Sequence, residues 1–310
     1  MRVLAVAPGP DRHGVVQHAL TVARLLLRAE VETTVSRTLA RPTDAFDVTH
    51  AHFTDALYGR DIDAAAECFV LWAADVPRPL VVTLHDVPGL DPDRARDTRR
   101  VAGYQRVAGA SDAVVVSAEH ELAGAWLNAT VVPLPVEPLA PAGPPPPWAG
   151  RRTVGVLGFV YPGKGHDVVL RAVAPGTVVV ALGGVSPGHD GYLHALCAEA
   201  DRLGLELLVT GPLSESALHA AALAVTVPVA AYRTLGASAS LATWLACGRR
   251  PVTTHSAYAD GIERRWPGSL SLTDDLQGAL ADPPGTWLEG PPPRPDIAAA
   301  HLEVFRSCRS

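Results

Sequence analysis

The sequence predicts an α/β protein made of two Rossmann-like, doubly wound parallel-sheet domains. Three observations carry this. Short apolar runs alternate with amphipathic helical patterns along nearly the whole chain. The runs are almost continuously apolar, as strands covered on both faces must be. The alternation stops at a proline-rich stretch and then starts again.

RVLAVA (2–7) reads as the first strand and GVVQHALTVARLLLRAE (14–30) as the helix that crosses back from it. That opening run is too short for a signal peptide core or for a membrane span, which needs about 20 apolar residues. VETTV (31–35) is a further strand, and DVTHAH (47–52) runs from a short strand into a loop. PLVVTLHD (79–86) is a buried strand with a polar end, followed by a helix over 97–111, a strand over 112–118, a helix over 119–127 and a last strand over 129–135. Segments 53–78 and 87–97 are expected to be loops.

Six prolines fall within EPLAPAGPPPPWAG (137–150), a composition that favours a semi-rigid spacer. The expected division is an N-terminal domain over 1–136, a linker over 137–150, a C-terminal domain over 151–294 and a terminal helix over 295–310 that could pack back on the first domain. In the second domain, strands are expected over 152–159, 176–184, 205–211, 224–230 and 249–255, with helices over 191–204, 214–222 and 238–248. Each unit follows the βαβ rule. Two such domains are expected to face a cleft at the carboxyl ends of their strands, where open α/β sheets bind ligands.

Composition narrows the function. A net charge of −6 and a pI near 6.0 give no electrostatic reason for a nucleic-acid partner. The four cysteines are scattered, with no CxxC pair, which suits reduced thiols and a cytoplasmic setting. The sequence leaves the oligomeric state open.

Four strings resemble the GT-B-fold glycosyltransferases of family four. They are GVVQHALTVARLL after the first glycine loop, VVTLHD (81–86), GFVYPGKGHDVVL (158–170) and LATWLACGRRPVTT (241–254). The resemblance implies a sugar moved from a UDP- or GDP-sugar to a soluble small-molecule acceptor, with retention of configuration, no cofactor and no catalytic metal. It casts His85 as a contact to the donor sugar and Gly14 as a backbone approach to the donor phosphates. It also casts Gly211 and Leu213 as contacts to the nucleobase edge.

Physical reasoning supports the role of the third string. Lysine is rare in this chain, yet Lys164 stands between two glycines where a strand ends and a helix begins. Amides at such a helix start favour anions, and an ammonium group there can offset charge on a departing diphosphate. Lys164 on these grounds, and His85 by the resemblance, are the expected catalytic groups.

Two departures matter. Phe159 stands where the family carries arginine, and the family's paired glutamates are Leu235 and Thr243 here. The replacement expected for them is a diphosphate cradle of Lys164, Gly165, Arg233 and the Ser238, Ala239 and Ser240 helix start, with Thr243 nearby. Asp86 is expected to orient His85 or cap the next turn. His50 and His52 form an HxH on one strand face that could hold a metal, but no third ligand is evident in the sequence. They are read, with His13, as acceptor-side lining. Two rivals stay open: a non-catalytic nucleotide-sugar binder, favoured by the missing glutamates, and a sugar-nucleotide epimerase, which needs acidic groups that the sequence does not offer.

Overall fold

The computed structural model describes residues 1–89, 93–122, 127–232 and 236–309. They divide into two compact units, Met1–Pro135 with Pro295–Ser310, and Val136–Arg294.

Unit 1 holds strands β1 (Arg2–Val6), β2 (Glu32–Ser36), β3 (Val48–Phe53), β4 (Leu80–Leu84), β5 (Ala113–Val116) and β6 (Thr130–Val131). They form a parallel sheet in the order β2-β1-β3-β4-β5-β6. Its helices are α1 (Gly14–Arg28), α2 (Asp55–Tyr58), α3 (Ile62–Ala73), α4 (Arg94–Gly109) and the C-terminal α11 (Ile297–Ser307). The period of two sorts the strand side chains. Leu4, Ala51, Phe53, Val82 and Leu84 meet α3 and α4 residues such as Phe69 and Tyr104 on one face. Val3, Val48 and Val81 meet Val22 and Leu26 of α1 and Ile297 and Phe305 of α11 on the other.

Unit 2 repeats the plan with β7 (Thr153–Leu157), α5 (His166–Ala172), β8 (Val178–Leu182), α6 (Asp190–Leu203), β9 (Glu206–Val209), α7 (Glu215–Ala224), β10 (Val227–Ala230), α8 (Ala239–Ala246), β11 (Val252–Thr254), α9 (Ala257–Arg265), β12 (Ser271–Thr273) and α10 (Leu276–Ala281). The sheet order is β12-β11-β10-β7-β8-β9, again all parallel. Counted from β7, the chain runs outward to one edge and then returns to fill the other, as in dinucleotide-binding folds, with the switch point between β7 and β10. In unit 1 the switch falls between β1 and β3.

Several expectations change. Segment 53–78 is not a loop: Asp61 caps α3, its side chain accepting from the Ala64 amide, and Phe69 and Trp72 bury themselves in the core. The helix expected over 119–127 begins as a single 3-10 turn, Glu119–Leu122, and 123–126 lie outside the described residues. The proline-rich stretch is not a free spacer. Gly143 N–H donates to the Ser216 carbonyl, Ala140 N–H donates to Glu215, and Trp148 is buried with Val225 and Trp244.

Candidate functional site

The switch point of unit 2 gathers most of the residues predicted to hold a diphosphate. After β7 the chain turns at Gly158 (φ 115°), makes a 3-10 turn over Pro162–Lys164 and enters α5 through Gly165 (φ 72°). After β10 it passes Tyr232 and re-enters helix at Ser238, which caps α8. These two connections bring Lys164 Nζ to 2.9 Å from Ser240 Oγ, as donor, and to 4.6 Å from the centre of the Tyr232 ring. Ser238 Oγ in turn donates to the Tyr232 hydroxyl at 2.7 Å.

Burial lowers Lys164 to about 8, and no carboxylate among the described residues offsets that. Burial also pushes Tyr232 up to about 12, so its ring faces the ammonium as a neutral phenol. This is an ammonium group held by a hydroxyl and a π face, with its remaining hydrogens uncommitted to any anion. His166, fully buried beside it, is lowered to about 4 by burial and then by Lys164.

The glycines leave room for this arrangement. A Cβ at Gly158 would sit 2.8 Å from Ser240 Oγ and 3.0 Å from Lys164 Cε. A Cβ at Gly165 would overlap the Ala231 carbonyl oxygen, in a backbone conformation that side chains rarely adopt. Gly165→Ala is therefore expected to destabilise unit 2 by about 1–2 kcal/mol or more, read as a thermal midpoint about 2–8 °C lower. Gly14→Ala is the control: nothing lies within 4 Å of its would-be Cβ.

The other predicted residues fall unevenly. Ser238 is buried and acts first as the α8 cap, accepting from Leu241 N–H; Ala239 is exposed at the helix start. Thr243 Oγ1 donates to the Ala239 carbonyl at 2.9 Å, so its one hydrogen is spent within α8 and is not held out for a ribose hydroxyl. Gly211 adopts φ 70° after β9, and Leu213 is half-buried against the α7 side of the sheet. Arg233 and Leu235 lie outside the described residues. In unit 1, Gly14 opens α1 in open space, whereas a Cβ at Gly9 (φ 108°) in the loop before it would meet Leu57.

The histidines of unit 1 form a cluster dictated by strand parity. His50 and His52 on β3, and Thr83 and His85 on or just past β4, all point to the face covered by α1 and α11. There they meet His18 of α1 and His301 of α11. His52 Nδ1 lies 3.2 Å from His85 Nε2, His50 Nε2 lies 2.8 Å from Thr83 Oγ1, and the His18 ring centre is within 5.3 Å of both His52 and His85. Burial lowers all five, His85 to about 4, so they are neutral imidazoles at neutral pH.

Full burial removes His50 and His52 from the acceptor-side surface of unit 1 expected for them: His50 packs on His301 and Phe305, and His52 on His18 and His85. His13 stays partly exposed and caps α1, its Nδ1 accepting from the Val15 amide. Asp86 does not orient His85. Its carboxylate accepts from the Thr54 hydroxyl, while Tyr104 donates to the His85 carbonyl and Arg100 to the Asp86 carbonyl. Asp86 itself sits at φ 51°, a conformation that these three bonds hold in place.

No protein-family model matches the chain, and no curated protein sequence does. Solved structures do. HepE from Anabaena in complex with UDP-glucose superposes with a TM-score of 0.66 at 15% identity, over 99% of this chain and 92% of that one. Sucrose-phosphate synthase from Thermosynechococcus elongatus gives 0.68 at 12% identity, over 99% and 94%. A trehalose-6-phosphate structure from E. coli, bound with UDP-2-fluoro glucose, gives 0.62 at 12%, over 100% and 95%. The chain has the GT-B fold.

Within this GT-B chain, sequence reasoning missed Tyr232 and His18. Tyr232 follows a buried strand directly, at the switch point, which is the position that marks it. His18 lies on the same helical stripe as Val15, Val22 and Leu26, so the 3.6 period places it on the buried side of α1. Glu121 was also missed. Its carboxyl accepts from the Ser117 and Ala118 amides past β5, and burial outweighs those bonds to raise it to about 7.

Proposed function

We propose that this GT-B chain is a glycosyltransferase that moves a hexose-type sugar from a UDP- or GDP-sugar to a soluble small-molecule acceptor. The observation that carries the reading is the buried, carboxylate-free ammonium of Lys164 at the β7/β10 switch point, beside the first turn of α8. That combination is made for a diphosphate, whose charge the lysine would offset as the nucleotide departs. No metal is then required at the diphosphate. His85, held neutral, can donate to or accept from a sugar hydroxyl. No side-chain carboxylate is assigned as nucleophile, and the donor phosphate is proposed to take the acceptor's proton as the new bond forms on the same face, which retains configuration. UDP is the first nucleotide to try, because the HepE and E. coli structures that this fold resembles carry UDP ligands.

Calorimetric titration with UDP and with GDP across pH tests the reading. Lys164 is protonated below about 8 in the free protein, and a bound diphosphate raises that value. Affinity should therefore hold steady between about pH 7 and 8 and fall by up to about tenfold per unit above it. Absence of nucleotide binding, or affinity that stays flat through about pH 9.5, would remove the lysine from the diphosphate site. The non-catalytic reading keeps one structural argument, the Thr243 hydroxyl tied to its own helix. Binding without sugar transfer or donor hydrolysis would favour it.

A further inference from the structure

We infer that His18, His52 and His85 form a binding site for a borderline transition-metal dication such as Zn²⁺. The inference concerns unit 1 alone and does not depend on the Lys164 site; a His85 that ligates through Nε2 keeps only its Nδ1–H to donate to a sugar hydroxyl.

One ring nitrogen from each of the three histidines lies within 4.8 Å of the other two. His52 Nδ1 and His85 Nε2 are 3.2 Å apart. Two imidazoles at the usual zinc–nitrogen distance of about 2.0–2.1 Å in a tetrahedral site have their nitrogens about 3.3 Å apart. The pair is thus already at ligand spacing, and a rotamer adjustment of His18 closes the third edge.

The supporting elements are stiff. His52 belongs to a fully buried strand, and His18 sits one turn inside α1. His85 N–H donates to the Phe53 carbonyl at 2.8 Å and its carbonyl accepts from Tyr104 at 2.7 Å, so the backbone that presents the ring is held on both sides. Ligands carried on such elements are preorganised.

The His52 nitrogen at ligand spacing is Nδ1, which is hydrogen-bonded to His85 Nε2, so an ion binds both once the proton between them moves to the far nitrogen of its ring. Of the HxH that the sequence offered, His52 takes part and His50 does not; the helix after β1 supplies His18 and the end of β4 supplies His85. Three imidazoles and no carboxylate select zinc, cobalt, nickel or copper over magnesium or calcium. Three protein ligands leave a fourth position for water or an anion.

The full chain, stripped with a chelator, loaded with Zn²⁺ and desalted, should retain about one equivalent of metal. Loading with Co²⁺ instead should give the intense visible absorption of a four- or five-coordinate ion, displaced on adding Zn²⁺. His18→Gln and His85→Asn should each weaken Zn²⁺ binding at least about a hundredfold, with apo circular dichroism unchanged. His194→Gln, on the exposed side of α6, should leave binding intact. If His85→Asn does not fold, His18→Gln decides, since His18 is only partly buried and lies on a helix. Loss of the metal on desalting, the pale spectrum of octahedral Co²⁺, or undiminished binding by His18→Gln would overturn the assignment.

Discussion

Lys164→Met is expected to lose about ten- to a hundredfold in nucleotide affinity while gaining stability in the free protein. The two signs share one cause. An ammonium group buried without a carboxylate is lowered to about 8, so the fold is paying to keep it charged at neutral pH. Methionine fills the same space with no such cost, and the apo protein should gain about 1–3 kcal/mol. In the wild type, the unfolded chain holds this proton more tightly than the folded one, so stability should rise from about pH 8 towards about 10.4, the ordinary lysine value. The methionine substitution should flatten that rise. Lys164→Arg should not restore binding, because a planar fork does not fit the space between Gly158, Ser240 and the Tyr232 ring. Thermal midpoints with and without UDP, for wild type and both variants, check all of this. A methionine variant that is less stable and binds UDP unchanged would refute the role given to the lysine.

Arg249→Met is expected to have the opposite effect, a stability loss of about 3–5 kcal/mol. Arg249 is fully buried and has no carboxylate partner among the described residues. Its guanidinium instead donates to the carbonyls of Ala222, Leu223, Val225, Thr226 and Thr286, and lies 4.1 Å from the centre of the Trp287 ring. Ala222 and Leu223 belong to the last turn of α7, whose carbonyls need a donor at that end. Burial lowers the group to about 10, still charged at neutral pH. Removing it orphans several carbonyls at once, so the urea midpoint should fall steeply. Arg249→Lys, with three donors and no fork, should recover only part of the loss. A midpoint within error of wild type for Arg249→Met would contradict this account.

Most strands were legible as apolar runs ended by polar or glycine residues, and the loop around Lys164 because its glycines and its cation interrupt one; the three-residue edge strand β12, SLT, has no such run and was not expected. Other parts depended on contacts distant in sequence. Segment 53–78 holds α3, whose alanine-rich stretch shows too little contrast between its faces to stand out as amphipathic. The last strand of unit 1 shrank from 129–135 to Thr130–Val131, since Pro133 and Pro135 cannot donate to a ladder. Prolines 144–147 suggested a spacer, yet their neighbours Gly143 and Trp148 are tied to α7 and to the unit 2 core. The histidines show both sides of this. That His50 and His52 share a face follows from strand parity, but the arrival of His18, His85 and His301 at that face required the order of the strands and the course of the terminal helix.

That helix has a bearing on biosynthesis. Ile297, Val304 and Phe305 complete the packing of a sheet whose strands are made well before them. The stretch made in between is continuous and self-contained, so it can reach its native form while its predecessor still lacks a wall. On the ribosome this sheet therefore emerges before the helix that completes one of its faces, and termination just short of residue 297 would leave that face with α1 but without the α11 part of its cover.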